Sequence, residues 1–410
     1  MIKSTFKVTV LNAYNIGWLL YIVIPALLTL SDVFLASHSV SFEIFAIFGL
    51  SIAAWYLGIW SYFSICSPSH KILASKEEYL VPLRSNRLTA NTGFTIIVIL
   101  ILSMLVLQVN SLYDGFDSYF SSSYGNYNVD NVNSFSSSAA FIIIGSIFGC
   151  KMACQYRLRL NQFMNALAIF VTLFWIAGGL RNIAAMLAIG FVFMLNVNRR
   201  LPTLTILLVI LSSLVAAAFI AVFRNYAIMA LLTGEVNISE IASDAASFSS
   251  RYLDGEFGTP YRVYLYLKST PSLLSIVPAK SYLLDPIINL VPTIINHERS
   301  PTLSVLFTYE YFNTTNPPEG LGFSLINEAI INFGFFFFPI PLFFFGFIIA
   351  LISRRNERSF HHSTSLNIFS VALASVSLNL FRIDFAIYIK FLVIIFLSAQ
   401  FAYYFCKRFS

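Results

Sequence analysis

Long apolar runs, separated mostly by short polar segments, dominate the chain. Each run has about 20 residues, the length that an α-helix needs to cross a hydrocarbon core of ~30 Å. A helix also satisfies its own backbone hydrogen bonds within lipid. We predict ten membrane-spanning helices, over 10–30, 43–66, 92–109, 136–153, 162–180, 182–198, 202–222, 326–352, 366–381 and 386–406. The pattern therefore predicts an all-α polytopic membrane protein.

One long polar interruption divides this pattern. It predicts three parts: an N-terminal transmembrane bundle over 1–223, a large loop over 224–322 and a C-terminal transmembrane bundle over 323–410. Within the large loop, 261–268 and 281–295 read as short amphipathic helices, which we expect on the membrane interface with their apolar sides toward lipid. A Ser-, Asn- and Tyr-rich segment over 110–135 is predicted as a flexible outer loop.

Composition and charge agree with this class and set an orientation. Hydrophobic residues make up 58% of the chain and charged residues 11%, against roughly 25% charged in soluble domains. With both termini in the cytoplasm, most of the 25 Lys and Arg residues fall on the cytoplasmic side, as the positive-inside rule requires. The large loop is then outside. The net charge of +6 follows from this topology and gives no reason to propose a nucleic-acid partner.

The cysteines predict no special chemistry. Cys66, Cys150, Cys154 and Cys406 all fall near cytoplasmic helix ends, and none lies in an outer loop. No disulfide framework is implied, and no histidine joins them as a metal-binding set. We interpret them as helix-packing residues and predict no metal site.

Several arginines stand where the positive-inside rule disfavours them. They lie at outer helix ends or in the large loop: Arg181, Arg224, Arg262, Arg299 and Arg382. A guanidinium group binds phosphate through two parallel hydrogen bonds and stays charged at every relevant pH. We therefore predict that they bind pyrophosphate or glycan anions, although each alone could instead extend to lipid headgroups.

Two further residues are candidates for acid–base chemistry. His297 precedes Glu298 and Arg299 in the large loop, and histidine suits general-base work near neutral pH. Glu328 shares one helix face with Ser324 and Asn332, because the three are spaced four residues apart. A carboxylate facing lipid is costly, so we expect Glu328 to face a cavity. The alternative is structural: Ser324 caps the helix and Glu328 interacts with its N-terminal dipole.

The end of the loop carries a resemblance to a known family. It reads Gly320-Leu-Gly-Phe-Ser-Leu-Ile-Asn-Glu328-Ala-Ile-Ile-Asn-Phe-Gly334, after an earlier stretch Val291-Pro292 and His297-Glu-Arg299-Ser-Pro301. Together with the number of spans and the position of the loop, this resembles the O-antigen polymerases of the Wzy type. One difference is that a Phe run and Pro339 follow Gly334, where relatives often have a further glycine.

The resemblance implies a GT-C-like glycosyltransferase at the outer face of the bacterial cytoplasmic (inner) membrane. Such an enzyme transfers a growing glycan from undecaprenyl pyrophosphate onto a new lipid-linked repeat unit, making O-antigen or capsular polysaccharide. The expected partners are the lipid-linked donor and acceptor, the bilayer and a Wzz-type chain-length regulator. No cofactor is expected, because the pyrophosphate leaving group already activates the donor. His297 or Glu328 would serve as catalytic base or orienting group.

Two other functions remain open from the sequence. An O-antigen ligase would share the loop and the donor but transfer finished glycan to a lipopolysaccharide core. A repeat-unit flippase or other transporter is a different class, which we expect to carry charges deep in several spans and to have short loops.

Overall fold

The computed structural model describes residues 9–25, 40–66, 92–113, 115, 119, 134–154, 157–178, 180–198, 259–270, 280–291, 301–314, 322–359 and 364–409. The predicted span 202–222, most of the loop 110–135, and the candidate residues Arg224, His297 and Arg299 lie outside them. Every regular element in the described part is helical, and no strand occurs there.

The described residues contain thirteen α-helices, numbered in chain order. They are α1 (Val10–Trp18), α2 (Val40–Cys66), α3 (Thr92–Tyr113), α4 (Ser134–Ala153), α5 (Leu158–Ala177), α6 (Arg181–Asn198), α7 (Thr259–Ser269), α8 (Lys280–Leu290), α9 (Leu303–Phe312), α10 (Leu325–Phe337), α11 (Pro339–Ser359), α12 (Thr364–Ser375) and α13 (Phe385–Arg408). A π-helical turn, Leu19–Val23, continues α1, and a 3₁₀ turn, Ser377–Phe381, follows α12.

Nine of the ten predicted spans overlap described helices. Four helices in the described residues are long and apolar enough to cross a membrane: Ala46–Ile65 in α2, Thr92–Ser111 in α3, Leu158–Ala177 in α5, and Phe385–Arg408. The chain is therefore a helical membrane protein by length and composition. The count of ten spans stays a prediction.

The single continuous helix predicted over 326–352 is wrong. The backbone breaks at Gly334, which adopts φ 70° and ψ 174°, a conformation that is essentially restricted to glycine. Pro339 then begins α11, where its missing N–H has no consequence because the first helical N–H has no partner within the helix. Helix α10, which contains this break, has 13 residues and would be about 20 Å long even if it were straight, which is too short to cross the hydrocarbon core alone.

Two parallel helix pairs pack through glycines at close distance. In the first, a Cβ atom built on Gly145 of α4 would lie 2.4 Å from the carbonyl oxygen of Ile395, and one on Gly149 would lie 2.2 Å from that of Ala399. In the second, α2 and α11 meet at Gly58 and Gly346 in the same way. Small residues let helix backbones approach closely in membranes. These glycines were not among the residues predicted to be important from the sequence.

The cysteines are confirmed as packing residues where they are described. Cys150, Cys154 and Cys406 are buried and are not in disulfide bonds, and the sulfur atoms of Cys150 and Cys406 lie 3.4 Å apart. This contact joins the ends of α4 and α13.

An aromatic cluster fixes the turn that leads into α13. The Trp18 ring lies 5.5 Å from that of Trp55 and 5.1 Å from that of Phe381. The hydroxyl groups of Tyr14 and Tyr388 also share a hydrogen bond. These contacts join α1, α2, the 3₁₀ turn and α13, and so fix the start of α13 against the N-terminal helices.

Candidate functional site

The N-terminal half of α10 is the centre of the candidate site. Ser324 caps the helix, because its Oγ accepts a hydrogen bond from the Asn327 N–H at 3.2 Å. The Asn327 side-chain amide donates to the Pro260 carbonyl of α7 at 2.9 Å. Further along α10, the Asn332 side-chain amide donates to the Ser281 hydroxyl of α8 at 2.7 Å. Two of the three described helices of the predicted external loop, α7 and α8, therefore contact α10 through polar side chains of α10.

Glu328 is fully buried within the protein and contacts the last helix. Its Oε2 accepts a hydrogen bond from the Phe385 N–H at 2.8 Å, whereas its Oε1 has no hydrogen-bond partner among the described residues. Phe385 is the first residue of α13, so its N–H has no partner within that helix. Glu328 thus caps α13 from α10, where the helix dipole also favours a negative charge.

Asp384 caps the same helix from within the chain. Its Oδ1 accepts from the Ile387 N–H at 2.8 Å. Its Oδ2 accepts from the Ser304 N–H at 3.1 Å and from the Ser304 hydroxyl. Asp384 is fully buried, and these bonds join the start of α9 to the start of α13.

Asp285 of α8 brings a third carboxyl group to this place. It is buried, and its Oδ1 lies 3.9 Å from the Lys280 ammonium nitrogen. Burial raises the pKa of the Asp285 carboxyl, and the Asp384 carboxylate raises it further, while Lys280 opposes both effects. Burial and the Glu328 carboxylate likewise raise the pKa of the Tyr282 hydroxyl.

Asp285, Glu328 and Asp384 form what we call the carboxyl cluster. Asp285 lies on α8, Glu328 on α10 and Asp384 directly before α13, and the three carboxyl groups interact electrostatically. Carboxyl groups in such a place can orient a hydroxyl group or accept its proton. Within the described residues, no group of His, Cys, Asp and Glu side chains is arranged to hold a metal ion.

Two of the predicted arginines lie on elements that touch the start of α10. The Arg382 carbonyl accepts a hydrogen bond from the Phe323 N–H, directly before the Ser324 cap. Arg262 lies on α7, and its Nε is buried without a hydrogen-bond partner among the described residues. The structure therefore brings Glu328, Arg262 and Arg382 to one end of the helical bundle.

Arg181 begins α6, and its side chain lies outside the described part of the structure. Met186, about one and a half turns further on, accepts a hydrogen bond at its sulfur from the Asn379 amide at 2.7 Å. Asn379 also accepts the backbone N–H of Arg382 at 3.0 Å. The start of α6 is thus linked to the turn that carries Arg382.

Two members of the carboxyl cluster were not predicted as site residues. Asp384 directly precedes an apolar run, which is a helix N-cap signature. Ser281, Asp285 and Asn289 are spaced four residues apart, which indicates a polar stripe along one helix. Both signals were present in the sequence, but neither indicates which helices these residues contact in the folded protein.

Comparisons with known proteins add no relative. No family model, no curated protein and no solved structure matches the chain. Its function is accordingly inferred from its residues and their geometry.

Proposed function

We propose that the protein is a membrane glycosyltransferase that polymerises undecaprenyl-pyrophosphate-linked oligosaccharide repeat units into O-antigen or capsular polysaccharide. The observation that supports this proposal is the carboxyl cluster. It lies where the predicted external loop meets the last helices. Helix α7, which carries Arg262, and the turn that carries Arg382 also contact the start of α10. The outer face of the bacterial cytoplasmic membrane is the proposed location, with both termini in the cytoplasm.

In the proposed reaction, the acceptor hydroxyl oxygen forms a bond to the anomeric carbon of the donor sugar. The bond between that carbon and the pyrophosphate oxygen breaks, and undecaprenyl pyrophosphate leaves with the electron pair. The hydroxyl proton passes to a base, Glu328 or His297. Holding both lipid-linked glycans in one geometry lowers the entropic part of the barrier.

The arginines supply the electrostatic part of this mechanism. Negative charge develops on the leaving pyrophosphate, and preorganised guanidinium groups stabilise it in a site that excludes water. We assign this role to Arg181, Arg224, Arg262, Arg299 and Arg382. The donor is already activated, so the proposed reaction uses no cofactor. Chain length would be set by a separate regulator of the Wzz type.

Deletion of the gene in its host tests the proposal against its alternatives. A polymerase deletion removes the polysaccharide ladder on a gel but leaves single repeat units attached to their acceptor. Loss of all glycan from the acceptor, with polymer accumulating on the lipid carrier, would instead identify an O-antigen ligase. Loss of both the ladder and the single repeat units, with units retained on the cytoplasmic face, would favour a repeat-unit flippase. An unchanged ladder would overturn the proposal.

Arginine-to-lysine variants test the pyrophosphate role in the deletion strain. Lysine keeps the charge but offers no planar pair of donors, so Arg224→Lys, Arg299→Lys and Arg382→Lys should each abolish the ladder while the protein remains inserted. Arg354→Lys on α11 is the matched control, because Arg354 lies near the Phe63 ring at the opposite, predicted cytoplasmic end. Ladders retained in all three variants would contradict the role.

A further inference from the structure

Helix α8 exposes its apolar residues and buries its polar ones. Ser281, Asp285 and Asn289 are buried. The exposed fractions of the leucine and isoleucine residues on the opposite side are high: Leu283 65%, Leu284 57%, Ile287 66% and Leu290 40%. A surface helix of a soluble protein has the reverse arrangement, with its apolar stripe toward the core.

The buried face of α8 is fixed by specific contacts. The Ser281 hydroxyl accepts the Asn332 amide of α10 at 2.7 Å. The Tyr282 ring packs 5.6 Å from that of Phe385 and 5.9 Å from that of Phe345. A rotation that buried the leucines would break these contacts and would expose the buried Asp285 side chain. The apolar face therefore points outward as part of the fold.

Helix α7 belongs to the same predicted loop and has the same length as α8, 11 residues. Its exposed side, however, carries polar groups. Its buried residues are apolar: Val263, Tyr264 and Leu267. Lys268 and Ser269 are exposed, and the Lys268 ammonium group pairs with the Glu43 carboxylate at the start of α2. The two helices thus present opposite chemistry to their surroundings.

The apolar face of α8 also continues onto neighbouring helices. The Tyr282 ring lies 6.1 Å from that of Phe333, which is itself partly exposed. Beyond it, Phe336 is 92% exposed and Phe337 61%. An apolar surface of this extent is unusual for protein that faces water, but it is expected of one that faces hydrocarbon.

We propose that α8 is inserted into the hydrocarbon of the outer leaflet, where Leu283, Leu284, Ile287 and Leu290 contact the acyl chains of the bilayer, whereas α7 remains in water. This differs from the expectation that both loop helices lie on the interface in the same way. It also means that a single helix separates the carboxyl cluster from the lipid. The proposal stands independently of the enzymatic activity proposed above.

Site-directed fluorescence quenching tests this placement. The four native cysteines are replaced by alanine, and one cysteine is introduced as Leu284→Cys, Ile287→Cys or, as the matched control on α7, Ser269→Cys. Each full-length protein is labelled with bimane and reconstituted in vesicles of phosphatidylethanolamine and phosphatidylglycerol. The quenchers are iodide, which stays in water, and a lipid with a nitroxide on its acyl chain.

We expect the nitroxide lipid, and not iodide, to quench the labels at 284 and 287. We expect iodide, and not the nitroxide lipid, to quench the label at 269. Iodide quenching at 284 and 287 equal to that at 269 would overturn the proposal. Protection of 284 and 287 from both quenchers would also overturn it and would indicate contact with a second copy of the chain. Two labelled positions on one face keep the test valid if one variant does not fold.

Discussion

Substitutions of Glu328 separate its structural role as a helix cap from its proposed catalytic role as a base. Its carboxylate satisfies the Phe385 N–H, so Glu328→Ala leaves that buried donor without a partner and opens a small cavity. The two effects together should lower the free energy of unfolding by about 2–4 kcal/mol. Glu328→Gln keeps an oxygen acceptor in nearly the same position. The Phe385 N–H therefore keeps a partner, and this substitution should lower the free energy of unfolding by no more than about 1 kcal/mol.

The assay has two parts. Thermal unfolding in detergent measures stability, and complementation of the deletion strain measures polymerisation by the ladder. Glu310→Ala and Glu310→Gln are matched controls, because Glu310 is an exposed carboxylate on α9. Surface substitutions of this kind usually change stability by less than about 0.5 kcal/mol.

The expected result is a folded Glu328→Gln protein that has lost the ladder, because a general base contributes roughly 10²- to 10⁴-fold to rate. A Glu328→Ala protein as stable as the Glu310 variants would refute the capping role. A full ladder from Glu328→Gln would exclude Glu328 as the base and leave capping as its only role.

Three further substitutions test the geometry of the fold. The pKa of Asp285 in the folded protein is raised by burial. Protonation of this carboxyl therefore favours the folded state. The stabilisation is complete below the unfolded-state pKa of about 3.9 and is lost as pH rises through the folded-state pKa. The melting temperature of Asp285→Asn relative to wild type should therefore increase with pH, and a constant difference would contradict this. Gly149→Ala places a Cβ 2.2 Å from the Ala399 carbonyl oxygen and should cost about 1–3 kcal/mol in thermal unfolding. Gly334→Ala meets no neighbouring atom but should still cost about 1–3 kcal/mol, because only glycine readily adopts its backbone conformation. Gly49→Ala, in open space, is the neutral control for both; equal stability of all three glycine variants would refute the packing and strain arguments.

Local pattern accounts for most of the helical structure. Nine of the ten spans predicted from apolar runs of about 20 residues overlap described helices, because hydrophobic length and backbone hydrogen bonding are properties of a continuous segment. The cap of α10 was also predicted as one alternative, since Ser324 and Glu328 lie within one turn of each other. The exception was the break at Gly334: an apolar run gives no sign that its backbone leaves the helix at one residue.

The candidate site depended on contacts between distant segments. Glu328 was singled out from the sequence, but its partner Phe385 lies 57 positions away, and Ser304 bonds Asp384 across 80. Which face of α8 points inward is likewise decided by Asn332 and Phe385. The sequence by itself thus determined the class of protein, its helices and several candidate residues. Only the tertiary structure decided which polar groups meet and which apolar face stays exposed, because these depend on packing between helices rather than on the periodicity of any one.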